Sequence, residues 1–312
     1  MDAALATRVM PGSKTTRRAL LLMLAFAALW AVLEVALGAS LREPYDLMQI
    51  VWWRYATHLV LLVAAFGWRR PSRLWRTRHT GLQLGRSMLM LVMPLSFAMS
   101  LSFGASADFT WAVFWVAPLA VLLLARLLLR ERASGLLWTC AATVPLAAML
   151  IHQPQVPAGV AAMALPFAMA LSFSLYVVAT RALRREPLAT NLFYTAFGVF
   201  ALLTPFVPHV WRTPSLHDAV VLCAIGAIGL LALALLDRSV EHDAVSVVTP
   251  VAGMYMPFVI ALSALHGEAP HRRGVIAALL LGAVFALLWQ RASTLGAGPL
   301  PPSSGHAHGR PS

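Results

Sequence analysis

Glu34, Arg54 and His58 are the residues of this chain best placed to do chemistry, because each interrupts a long apolar run. A carboxylate can carry a proton or hold a cation, a guanidinium can hold an anion, and an imidazole can relay a proton. In hydrocarbon such a residue costs about 2.5–3.5 kcal/mol at a helix centre, so each asks for a reason. Glu34 lies seven residues before Leu41, and Arg54 seven after Leu47. At about 1.5 Å of rise per residue, both sit roughly 10 Å in from the same end of two successive helices. One reading is a structural ion pair that docks those helices. The other is a substrate or proton site, with Glu34 as the proton carrier. His58 follows Arg54 by one turn on the same face, either as a satisfied buried histidine or as part of a proton relay.

Trp115, Tyr176 and Tyr255, with Trp111 and Tyr194, are candidates to line a cavity for aromatic or cationic solutes. For the tryptophans a lipid-facing belt is an equal alternative. Ser96, Ser100, Ser172, Ser174 and Thr249 could face the same cavity or bond one helix to another. Pro118, Pro250 and Pro257 are hinge candidates, since proline removes a helix hydrogen bond. Arg86 and Arg126 read as snorkelling to the headgroups. Asp108, Glu131, Asp237, Asp243 and Glu268 read as caps and loop anchors at helix ends.

The elements that position these residues follow from composition. Of 312 residues, 60% are hydrophobic and only 12% charged, about half the charged share of a soluble domain. Lipid is the solvent such a chain fits. Ten apolar spans are expected: Ala19–Leu41, Leu47–Gly67, Leu82–Phe103, Asp108–Leu129, Ser134–Ile151, Pro157–Ala182, Thr190–Val210, His217–Asp237, Asp243–Leu265 and Gly274–Gln290. With the N-terminus inside, the inner segments hold 16 Lys and Arg and the outer loops hold Arg42, Arg212, Arg272 and Arg273. That bias predicts cytoplasmic termini in a plasma (inner) membrane.

The net charge of +12 follows from those clusters, and no basic stripe interleaved with aromatics suggests nucleic acid. Arg17 to Ser40 looks somewhat like a secretory signal, but Glu34 interrupts it and an uncleaved first helix is expected. Cys140 and Cys223 fall in separate apolar runs, so neither a disulfide nor a metal site is expected. Residues 1–16 are read as a cytoplasmic segment and 292–312 as a disordered tail, whose His306 and His308 read as spacer rather than metal ligands. No phosphate loop or HExxH is present, so an enzyme is not expected, and no cofactor or metal is.

The two halves, 17–152 and 157–291, resemble each other. Pro118 precedes Glu131 by 13 residues and Pro257 precedes Glu268 by 11, each pair followed by a last apolar helix. Five helices is an odd number, so two tandem units must be inverted, as in many secondary transporters. Here the residues resemble the EamA-type branch of the drug/metabolite transporter superfamily. Leu29-Trp30-Ala31, Gln49 to Arg54, Trp115 to Pro118, Leu129 to Glu131, Leu175 to Arg181 and His266-Gly267-Glu268 carry the resemblance. Arg130 stands where the family pattern has glycine, and the stretch from Glu268 to Gly274 is compressed.

The expected fold is therefore an all-α integral membrane protein of ten transmembrane helices in two inverted five-helix repeats. The expected function is a secondary active transporter that moves a small polar metabolite, an amino acid or related compound, by alternating access. A flippase for a lipid-linked headgroup is the alternative. The partners expected are the solute, the lipid bilayer and a coupling proton, with a homodimer left open.

Overall fold

In the computed structural model, residues 13–37, 40–41, 43–67 and 72–294 are described. Arg8, Arg42, Arg69, Arg70 and the tail histidines lie outside them. The described residues form helices and turns, with no strand among them. In chain order the helices are α1 (Ser13–Ala31), α2 (Leu47–Leu62), α3 (Ser72–Trp75), α4 (Thr80–Ser102), α5 (Ala107–Phe114), α6 (Ala117–Leu128) and α7 (Gly135–His152). They continue as α8 (Val160–Ala182), α9 (Leu188–Leu203), α10 (Leu216–His242), α11 (Val245–Val248), α12 (Tyr255–Leu265) and α13 (Arg272–Thr294).

Among the described residues, nine helical stretches are long and apolar enough to cross a bilayer. The protein is thus an all-α multi-pass membrane protein. The seventh expected span falls short of that standard. The apolar run extends to Val210, yet α9 stops at Leu203 after 16 residues. Thr204 keeps helical angles (φ −50°, ψ −42°), but Pro205 has no N–H to carry the ladder on, and a short 3-10 turn, Val207–His209, follows.

Local chemistry sets the other ends. Asp46, Ser106 and Ser215 cap α2, α5 and α10, each accepting from a backbone N–H of the first turn at 2.8–3.1 Å. Such caps satisfy donors that the helix itself cannot. Gln153 ends α7 in a left-handed conformation just before Pro154. α6 and α12 end alike, with Arg130 at φ 56° and Gly267 at φ 91°, each preceding a glutamate.

Two spans are interrupted midway. The fourth breaks between α5 and α6 at Trp115–Val116, with Pro118 in the first turn of α6. The ninth runs from α11 through a 3-10 stretch, Thr249–Met254, into α12. Pro250 opens that stretch, whereas Pro257 sits inside the first turn of α12, where a missing N–H costs least. Pro94, Pro145 and Pro166 also lie inside helices.

Packing follows a regular scheme. α4 lies along α8, and α1 along α10. α2 packs on α10 while α9 packs on α4; α2 meets α9, and α7 meets α13. Glycines allow the closest approaches. A Cβ on Gly198 would stand 2.4 Å from the Ser87 Cβ, and one on Gly226 would stand 2.5 Å from the Thr57 Cβ. Small residues at membrane helix interfaces let backbones approach in this way.

Candidate functional site

A cavity of about 450 Å³ lies among α1, α2, α4, α5, α8 and α10, lined by residues from both halves of the chain. Its wall is largely apolar: Phe26, Met90, Met93, Pro94, Phe97, Met169 and Phe173 all face it. Glu34, Arg54 and Tyr55 supply its ionisable groups, and Trp30 and Trp111 its indoles. Larger hollows, of about 600 and 570 Å³, lie at helix ends around Glu268–Gly274 and Arg184–Leu192, away from these mid-helix residues.

Glu34 is carried on a wide π-helical turn, Val32–Leu37, that continues α1. Such turns are rare and recur at functional sites. The carboxylate accepts hydrogen bonds from the Trp30 indole N–H and, at 2.7 Å, from the Tyr255 hydroxyl. Tyr255 opens α12 directly after the 3-10 stretch, so the break in the ninth span brings a donor from the second half to a carboxylate of the first.

Trp30 is the centre of an aromatic cluster. Its ring centroid lies 5.1 Å from Tyr255, 5.9 Å from Trp115, 6.0 Å from Phe173 and 6.3 Å from Trp111. Trp115, at the break between α5 and α6, is fully enclosed and 5.5 Å from Tyr255. Trp115 therefore backs the cavity wall and does not line it. Sequence reasoning passed over Trp30 as a site residue, although its place four residues before Glu34 puts it on the same helical face.

Arg54 faces the cavity from α2 but does not join Glu34 in an ion pair. The carboxylate already has two donors on its own side. Arg54 passes beside Gly229 of α10, where a Cβ would come within 2.5 Å of Nε. Its guanidinium carbon stands 5.9 Å from the Tyr55 ring centroid, and its Nε is buried without a hydrogen-bond partner. His58 is enclosed one turn further on, edge-on to the Tyr55 ring, with Nε2 unpartnered. It lies outside the cavity lining.

The largest correction concerns Arg86 and Asp237. Arg86 does not snorkel and Asp237 is not a helix-end cap. Both side chains are fully buried, and they pair at 3.2 Å between α4 and α10. Arg86 also donates to the Thr180 hydroxyl at 2.9 Å, the Thr195 hydroxyl at 2.8 Å and the Asn191 carbonyl, and it lies 5.0 Å over the Tyr176 ring. Four helices meet at this one guanidinium. α10 continues past Asp237 to His242, which puts the carboxylate inside the helix. Leu236 and Met90 line the cavity, so the pair sits next to its floor. Tyr176 belongs to this polar cluster and not to the cavity wall.

Further polar ties hold the helix ends. Glu131 lies 3.6 Å from Arg181 and accepts from the Ser246 hydroxyl at 3.2 Å at the start of α11. The Tyr45 hydroxyl donates to Asp218 at 2.8 Å. Burial, and then the adjacent carboxylate, raise the Tyr45 pKa above the ordinary tyrosine value, so it stays a donor. Among the described residues no cluster of three His, Cys, Asp or Glu could hold a metal.

No family model matches this chain, and no curated protein does. Solved structures do match. One described as "Crystal structure of protein" superposes with a TM-score of 0.73 at 19% identity, covering 89% of this chain and 98% of the other. That likeness shows a shared fold and leaves the activity to be argued from the site.

Proposed function

We propose that this protein is a secondary active transporter that moves a small polar metabolite across the plasma membrane by alternating access. The observation that carries the reading is the central cavity, walled by both halves of the chain and holding one carboxylate and one guanidinium at mid-helix depth. Ionisable residues in such positions mark solute and ion pathways. Two interrupted spans, the fourth and the ninth, stand behind it, as broken helices do at transporter binding sites.

The packing scheme supports two inverted repeats of five helices each. Exchanging the halves turns the α4–α8 contact into α10–α1, and the α2–α10 contact into α9–α4, while α2–α9 and α7–α13 map onto themselves. The short α9 then serves as the seventh of ten spans, extended by the turns that follow it. Both termini lie on the cytoplasmic side, and a proton carried on Glu34 is the coupling ion.

The test is to compare metabolites inside and outside cells that lack or overproduce the protein. One polar solute should shift across the membrane with protein level, and the shift should vanish in Glu34→Gln at equal expression. A change only in the sidedness of a lipid-linked species would replace this reading with that of a flippase. Accessibility labelling at Glu186 and at Thr213, expected on opposite faces, checks that α9 crosses as the seventh span.

A further inference from the structure

We infer that the solute held in this cavity bears a carboxylate, that Arg54 is the residue that binds it, and that the rest of the solute is apolar. The argument starts from an imbalance of partners between the two charged groups, Glu34 and Arg54. The negative charge of the cavity already has its donors, because Glu34 accepts from Trp30 and Tyr255. The positive charge has no acceptor: Arg54 makes no hydrogen bond or ion pair to any described residue. Its contrast with Arg86 is direct. That guanidinium is fully enclosed and donates to four groups, as a structural arginine should.

A guanidinium offers a planar fork that matches a carboxylate in two parallel hydrogen bonds. Space for the Arg54 side chain is built in from the facing helix, since any side chain on Gly229 would collide with Nε. The other walls are Met90, Met93, Phe97, Met169 and Phe173, which suit a hydrocarbon or aromatic body and leave no polar partner for a sugar. A phosphate dianion fits less well, because Glu34 shares the cavity and repels a second negative charge. The inference rests on the transporter reading only in calling this ligand a substrate; the binding chemistry stands apart from flux.

Full-length protein in nanodiscs gives a direct test, with tryptophan fluorescence reporting occupancy through Trp30 and Trp111. Two matched sets are titrated: leucine, 4-methylpentanoate and 3-methylbutylamine, and phenylalanine, 3-phenylpropanoate and phenethylamine. Carboxylates of at least one set should quench saturably, and the amines, which lack the carboxylate, should not. Arg54→Gln should weaken carboxylate binding about tenfold or more, the scale of a lost charge-assisted hydrogen bond, and Arg54→Lys should recover part of it. Gly229→Ala, which crowds the side chain without removing its charge, should weaken binding in the same order of ligands. Amines that bind as well as carboxylates, an Arg54→Gln protein with unchanged carboxylate affinity, or no binding by any carboxylate overturns the inference. Should neither variant fold, the wild-type comparison of acids with amines decides alone. Counterflow in proteoliposomes separates the two claims. Saturable, Arg54-dependent binding without flux keeps the carboxylate site and sinks the transporter. Flux of a solute lacking an anionic group does the reverse.

Discussion

Arg86 and Asp237 stand 3.2 Å apart with neither side chain exposed, although they come from opposite halves of the chain. Removing one member of a buried pair leaves an uncompensated charge and costs about 3–5 kcal/mol. Asp237→Asn and Arg86→Met should each lower the unfolding temperature in detergent sharply. The double variant Arg86→Met/Asp237→Leu should regain most of that loss, because an apolar pair of similar volume leaves no charge behind. A single variant that unfolds with the wild type would show that the pair contributes nothing.

Tyr255 ties α12 to Glu34 at 2.7 Å. Tyr255→Phe deletes that donor and keeps the ring, so the aromatic stacking survives. A hydrogen bond to a charged group is worth about 1.5–3 kcal/mol. We expect transport to fall roughly tenfold or more with a melting temperature lowered by only a few degrees. Glu34→Gln should abolish proton-driven accumulation at every external pH; a normal rate with the wild-type pH profile would rule out Glu34 as the proton carrier.

Gly198 meets Ser87 so closely that an added Cβ would lie 2.4 Å from its Cβ. Gly198→Ala should therefore destabilise by about 1–3 kcal/mol, through forced separation of α9 from α4. Gly282, whose Cβ would meet nothing within 4 Å, is the control. Gly282→Ala should be neutral or stabilising by up to about 1 kcal/mol, the helix-propensity difference. Equal effects of the two substitutions, read by thermal unfolding, would contradict the packing described.

Arg130 holds a left-handed backbone at φ 56°, the counterpart of Gly267 at φ 91°. For an L-residue that conformation costs about 1–2 kcal/mol, and glycine adopts it freely. Arg130→Gly should raise stability by about 1 kcal/mol, and Gly267→Ala should lower it by a similar amount. Melting curves of the two purified variants, shifted in opposite directions, are the expected result.

The membrane character was legible because a run of some twenty apolar residues has one physical solution. Glu34 and Arg54 were legible as cavity residues for the same reason: charge stands out against such runs. Their relation to each other was not, since spacing gives depth along a helix and says nothing of rotation about it. Arg86 was misread on that account. Its position near the start of α4 suggested snorkelling, while the partner that keeps it buried lies 151 residues away in the chain. Pro118 flagged the break in the fourth span, but only packing brings Trp115 and Tyr255 to the two sides of Trp30. The early end of α9 could have been read from Pro205, had the apolar run around it not argued for continuation.

The distance in sequence between Arg86 and Asp237 also bears on how the protein is made. Synthesis proceeds at about 5–20 residues per second, so the 151 residues between them take roughly 8–30 s to emerge. During that interval α4 has left the ribosome with a guanidinium and no carboxylate. An unpaired charge at a helix centre costs about 2.5–3.5 kcal/mol, so α4 is held less firmly in lipid, or keeps Arg86 toward water, until α10 arrives, and the first span likewise carries Glu34 until Tyr255 reaches it. The buried pair and the Glu34–Tyr255 bond thus tie the completion of the first half of the chain to the arrival of the second.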